Sequence, residues 1–269
     1  EITIFMERLN AQLVNEAIEP PQLTFTHPSV IEAMRWLTSL TTEYGVKPVF
    51  ITDITGSSTF AEERNNLIEN GRAAMWVDQG FDSFPELDLS SLNIGIVPLP
   101  TGPDGTAVST NSITGYYISA QTEQRQACWE WIKFLTDQPI AAEFGNTIPA
   151  KISVADSDTY TQAVGAELAA ANRASVAGLT GSSTELQLSA SASWLSTGFF
   201  WWQSYAYDQI VQKGVPVEEA LADVQAKADN YRECVIANNA LEDQNGQSRC
   251  LGQVDETVPD FFIETDDEE

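Results

Sequence analysis

One histidine, His27, and three cysteines leave this chain with few of the side chains that hold metals or act as bases at neutral pH. No cysteine pair has zinc-like spacing, so no metal site is expected. No Ser/His/Asp or Cys/His pattern accompanies the single histidine, and no glycine-rich phosphate loop precedes a helix, so no cofactor is expected either. Basic residues are also scarce, 13 against 39 acidic ones, and the net charge of -26 excludes a nucleic-acid partner, which needs a basic surface. Only five residues are lysine: Lys47, Lys133, Lys151, Lys213 and Lys227. Such a surface suits a secreted or salt-exposed protein, though an acidic cytosolic protein has the same composition. No run approaches the ~20 apolar residues of a membrane span. No internal repeat is present. The chain starts at Glu1 with no initiator methionine, charged n-region or apolar h-region, so any targeting segment lies outside this sequence, and an upstream part is expected.

What is abundant is aromatic surface in one place. Seven aromatic residues, among them Trp194, Trp201 and Trp202, fall between Ser193 and Gly214, where the core of an ordinary helix would carry Leu, Ile, Val and Ala. Rigid rings stack on the apolar faces of ligands at low entropic cost, which is one reading of this stretch. The other reading is a core helix in which Phe200, Tyr207 and Ile210 point inward and the remaining rings border them. The 269 residues suffice for one or two domains with a sizeable core. Cys234 and Cys250 flank a polar loop, Asn238 to Arg249; a disulfide between them would stabilise the fold by roughly 3 kcal/mol and imply an oxidising compartment. Cys128, between Ala127 and Trp129 on a helical pattern, reads as a buried free thiol.

Along the chain, Ile4, Phe5, Leu9, Leu13 and Ala17 keep helical spacing and predict a helix over Ile2 to Ala17. Pro28 occupies a first helical position, preceded by His27 as a capping or surface residue. Val30, Met34, Leu37, Leu40 and Tyr44 follow on one face, and Gly45 ends the helix. A helix is expected from Thr59 to Asn70, stopped by Gly71. Arg72 to Asp78, Asn93 to Pro98 and Ile113 to Ala120 read as short strands, the last two separated by a Gly/Pro/Asp turn. Thr122 caps a helix whose face is Cys128, Trp131, Ile132 and Leu135. A short helix runs from Pro139 to Gly145, and an alanine-rich helix from Asp156 to Asn172. Pro216 opens another that reaches Cys234. Glu264 to Glu269 read as a solvated acidic tail. Helices alternating with short strands predict an α/β arrangement.

Five segments, in order, resemble one family. Phe60-Ala61-Glu62 through Gly71-Arg72-Ala73-Ala74-Met75-Trp76-Val77-Asp78-Gln79-Gly80-Phe81 is similar to a helix and G-x-A-A-M strand leading to a cleft aromatic. Ile94-Gly95-Ile96-Val97-Pro98-Leu99-Pro100 is similar to a strand ending in Pro-x-Pro. Gly115-Tyr116-Tyr117-Ile118-Ser119-Ala120 with Ala127 to Thr136 resembles a G-x-x-I-S … A-W-E-F-I-K-F-L-T segment, and Ile148-Pro149-Ala150-Lys151 matches the Pro-Ala-Arg/Lys that follows it. Phe200-Trp201-Trp202, Gly214 and Glu218-Glu219-Ala220-Leu221 resemble a C-terminal W … G … E-E-A-L segment. All are features of the extracellular, sugar-type (family 1) solute-binding proteins of ABC importers. The resemblance covers most of residues 25 to 235.

That resemblance implies a two-lobed α/β fold of the type II periplasmic-binding-protein kind, of which this chain holds the C-terminal part. It implies that residues 1 to 108 and 161 to 263 belong to one lobe, that 109 to 160 return to the other, and that an N-terminal portion is missing. It further implies a carbohydrate ligand in the cleft, ABC permease subunits as partners, no enzymatic activity, and an extracellular or periplasmic location with a lipoprotein tether upstream. Trp201 matches the position at which the maltose-binding member of the family stacks a tryptophan on sugar. Trp202 lies about 100° round the helix and fits core as well as cleft. Phe81 stands where the family often has a tryptophan after Gly-Pro. Asp78 and Asp82 are candidates for sugar hydroxyls, and Asn111, Ser112 and Tyr116 lie near the implied hinge. Two rivals remain: a peptide or other solute-binding module on the same scaffold, and a glycan-acting enzyme with paired carboxylates, for which no carboxylate sits in a catalytic motif.

Overall fold

The computed structural model describes residues 2–49, 58–77, 93–108, 115–137, 148–180, 188 and 192–259. Two compact units divide the chain: Glu1–Arg64 with Thr101–Asn111 and Thr180–Glu269, and Asn65–Pro100 with Ser112–Leu179. The units interrupt one another in sequence.

The first unit holds the main core. Helix α1 is Ile2–Arg8, not the longer helix its spacing predicts. Asn10 at φ 65° turns the backbone left-handed, and the Ala11 amide closes the end on the Met6 carbonyl at 3.0 Å. The chain then pairs β1 (Val14–Asn15) with β2 (Gln22–Leu23), antiparallel, with Val14 opposite Leu23. Helix α2, Pro28–Thr42, starts as expected: the His27 side chain accepts the Ser29 amide and Pro28 sits in the first turn. Its buried stripe is Val30, Ala33, Met34 and Leu37, the spacing of one helical face.

After a 3-10 turn, Ser193–Leu195, the aromatic stretch forms helix α8, Ser196–Lys213. Phe199, Trp202, Ala206 and Ile210 enter the core from one face, and Gly198 makes room for Trp202. A Cβ at Gly198 would lie 2.5 Å from that ring. Gly214, at φ 68°, ends α8, and α9 (Val217–Ala237) folds back along it with Leu221, Val224, Ala228, Tyr231 and Val235 buried. Tyr231 donates its hydroxyl to the Trp194 carbonyl at 2.8 Å, and burial pushes its phenol well above the usual range. Polar ties add register: Thr3 donates to Gln203 at 2.8 Å, and Arg232 reaches the Pro20 carbonyl at 2.7 Å.

Part of the expected polar loop after Cys234 is a helix, α10, Gln244–Val254. Two anchors explain it where periodicity was silent. The Cys234–Cys250 disulfide fastens it to α9, and Leu251 is buried beside that bond in the common core.

The second unit is also helical. Helix α3, Ser58–Glu69, runs across the division and ends at Gly71, φ 63°. Then come α4 (Arg125–Thr136), α5 (Ile152–Ala155), α6 (Asp158–Val164) and α7 (Ala166–Ala177). The single helix predicted from Asp156 to Asn172 is thus broken, because Ser157 caps a new start and Gly165 at φ 89° separates two helices. A small cluster of Tyr160, Val164 and Ala169 joins them, with Asn172 donating to the Tyr160 hydroxyl at 3.0 Å.

The expected strands are not found among the described residues of Arg72 to Asp78, Asn93 to Pro98 and Ile113 to Ala120. The only sheet among the described residues is the β1–β2 pair, so the described architecture is helical where an α/β alternation was expected. A strand of a parallel sheet is held by neighbours at both edges and helices over both faces. Here Met75 and Val97 are 90% and 82% exposed, and no described strand pairs with either segment. The Pro139–Gly145 helix and the 264–269 tail lie outside the described residues.

Candidate functional site

Helix α8 sorts its aromatic residues between two faces. Because each residue turns the helix by about 100°, Phe199, Trp202, Ala206 and Ile210 face the core while Trp201 and Tyr205, one turn apart, share another side. Those two rings are half-buried, with centroids 6.3 Å apart and planes inclined by 31°. Large apolar surface at the margin of the core is therefore held on a rigid element.

Helix α9 lays a cation on this surface. The Lys227 ammonium stands 4.3 Å from the Tyr205 centroid, with its side chain only 17% exposed. Such a contact contributes about 0.5–2 kcal/mol, more as water is excluded. Its charge is met by Asp223, one turn earlier on α9, at 3.3 Å and by Asp255 at 3.4 Å. Asp255 follows α10 and is buried. One carboxylate oxygen accepts the Trp202 indole N–H at 2.8 Å; the other accepts the Thr257 amide at 3.0 Å and its hydroxyl at 2.6 Å. Burial opposes the charge on Asp255, but the Thr257 and Trp202 hydrogen bonds and Lys227 outweigh it and hold the carboxyl below its ordinary pKa. A carboxylate so satisfied is a fixed part of the frame.

The structure separates the residues expected at the site. Trp201 is half-buried on the side shared with Tyr205. Trp202 is a correction: its ring is fully buried, wedged against Gly198 and Tyr231, with its one polar atom committed to Asp255, so it serves the core. Phe200 is only partly buried, and its neighbour Phe199 fills the inward position instead. Tyr116 belongs to the second unit and is 58% exposed. Asp78, Phe81, Asp82, Asn111 and Ser112 lie outside the described residues. Cys234 and Cys250 are bonded, whereas Cys128 is a half-buried free thiol and not the buried one its pattern suggested.

Sequence reasoning missed Tyr205, Lys227 and Asp255. Tyr205 was reachable, since it follows Trp201 by one helical turn; Lys227 and Asp255 arrive from elements whose register only the fold supplies. Among the described residues, no group of three or more His, Cys, Asp or Glu is arranged to hold a metal ion, and no helix is long and apolar enough to cross a membrane.

No curated protein and no solved structure matches the chain. A family model does match, over a span that takes in α2, α3 and α4 and stops before the aromatic helix α8. Residues 26–142 are in this way similar to the family described as bacterial extracellular solute-binding protein.

Proposed function

We propose that this chain is the substrate-binding component of an ABC importer, or part of it, and that it takes a carbohydrate which it presents to a membrane permease. The family match supports the binding role, and one observation of the structure carries the carbohydrate: the Trp201–Tyr205 pair, half-buried on a rigid helix and bordered by Lys227 and Asp223. Pyranose C–H faces stack on such rings, while hydroxyls are satisfied by carboxylates at the rim. Asp78, Phe81, Asp82, Asn111, Ser112 and Tyr116 are proposed as further contacts on the strength of the motif order alone. Ligand that binds one arrangement of the protein better than another shifts its population, which is what a permease can read.

The test is intrinsic tryptophan fluorescence and thermal shift against a panel of mono- and oligosaccharides, beside Trp201→Ala. The wild type is expected to give a saturable change, and the variant to bind about tenfold or more weakly, equivalent to ~1.4 kcal/mol of lost stacking. A folded protein silent to every sugar but responsive to peptides would replace the carbohydrate with a peptide; product formation from the oligosaccharides would replace binding with catalysis.

A further inference from the structure

The polar contacts around Asp255 form a chain that runs from the core to the outer ring pair. Trp202, fully buried, donates to Asp255; Asp255 faces the Lys227 ammonium; Lys227 covers the Tyr205 ring; and Tyr205 neighbours Trp201. Each link is of a kind that holds direction. The indole bond and two bonds from Thr257 fix the carboxylate. The carboxylate, being buried and charged, draws the flexible lysine stem to one place, and the cation occupies one face of the tyrosine. Asp223 also pairs with Lys227, but its own side chain is 55% exposed, so it anchors far less than Asp255, whose side chain is 1% exposed.

We propose that Asp255 is a positioning residue for ligand binding. Acting through Lys227, it fixes Tyr205 so that Tyr205 and Trp201 meet the ligand as one preset surface. This rests on the reading of Trp201 as a ligand contact, and extends it to three residues that no motif marks. Preset rings lose less freedom on binding, so the device acts on affinity and not on contact area.

The experiment uses protein labelled with 13C-lysine, with maltotriose as the probe ligand. Lys227 ε-methylene protons lie over a ring and resonate upfield; Lys227→Met assigns the signal. Lys47 stands 4.9 Å from the Tyr207 ring, away from this chain of contacts, and serves as an internal control. Asp255→Asn removes the charge that holds Lys227, keeps one acceptor oxygen for the Trp202 indole N–H, and turns its amide NH2 toward the Thr257 hydroxyl, which can accept, while the Thr257 amide loses its acceptor. The expected result is loss of the Lys227 upfield shift with the Lys47 signal unchanged and the Trp202 indole N–H still slow to exchange, and about tenfold weaker maltotriose binding. Lys227→Met should weaken binding as much, and the double variant no further, because both act in one chain. An unmoved Lys227 signal in Asp255→Asn overturns the proposal, as does wild-type affinity in a variant whose signal has moved. If Asp255→Asn does not fold, Lys227→Met decides: undiminished affinity overturns it. If the wild type shows the shifted Lys227 signal but binds no maltotriose or any other sugar, the carbohydrate reading falls while the Asp255–Lys227–Tyr205 chain stands.

Discussion

Helices α8 and α4 are both rich in aromatic residues, yet one builds a core and the other buries none of its side chains. In α4, Trp131 and Phe134 stack at 5.4 Å but stay 59% and 53% exposed, and Trp129 is half exposed as well. Its face of Cys128, Trp131, Ile132 and Leu135 is the cleaner amphipathic stripe of the two. In α8 apolar and polar residues are more mixed around the helix, but α2, α9 and α10 supply surfaces that enclose Phe199 and Trp202. Amphipathicity therefore states what a helix requires; burial depends on whether another element provides it. Among the described residues, nothing provides it for α4.

The contrast can be broken most forcefully at Phe199. It is fully buried and stacks on Phe25 at 6.2 Å, so Phe199→Ala should cost about 3–5 kcal/mol in chemical denaturation, through lost burial and the cavity left behind. A loss below 1 kcal/mol would mean that the α8 core is no better packed than α4. A smaller effect is expected at the edge of that core. Replacing Cys234 and Cys250 by serine should lower stability by roughly 3 kcal/mol on the chain-entropy estimate, and also loosen α10, which hydrogen exchange would report as faster amides from Gln244 to Val254. Slow exchange there after the substitution would show that Leu251 suffices to hold the helix. The smallest effect belongs to α4: Trp131→Ala should change stability by no more than about 0.5 kcal/mol, as for exposed positions generally. A cost of several kcal/mol in the intact protein would reveal a partner surface over this face.

How much of this was legible in the sequence follows from where each signal resides. Helix ends written by proline and glycine were readable: Pro28 and Pro216 start α2 and α9, and Gly71 finishes α3. The helix over Gln244–Val254 was not, because its residues are mostly polar and its anchors, a disulfide and Leu251, act across the fold. The strands failed for a related reason. A run such as Ile94 to Val97 has the composition of a strand, but only adjoining backbone makes it one. At the site, Trp201 announced itself within an aromatic stretch. Lys227 and Asp255 gave no sign, since one is an ordinary helical lysine and the other an ordinary acid among many.

The turn between α8 and α9 acts as a ruler. Gly214 closes one helix, Pro216 opens the next, and Val215 alone separates them, so the two helices are fixed in phase as well as in position. One residue more in that turn would rotate α9 by about 100° relative to α8 and carry Lys227 away from Tyr205 while leaving both helices intact. The spacing of a three-residue connection thus decides which rungs of two helices meet, and a change in length there would erase the lysine-covered ring more surely than most changes of side chain.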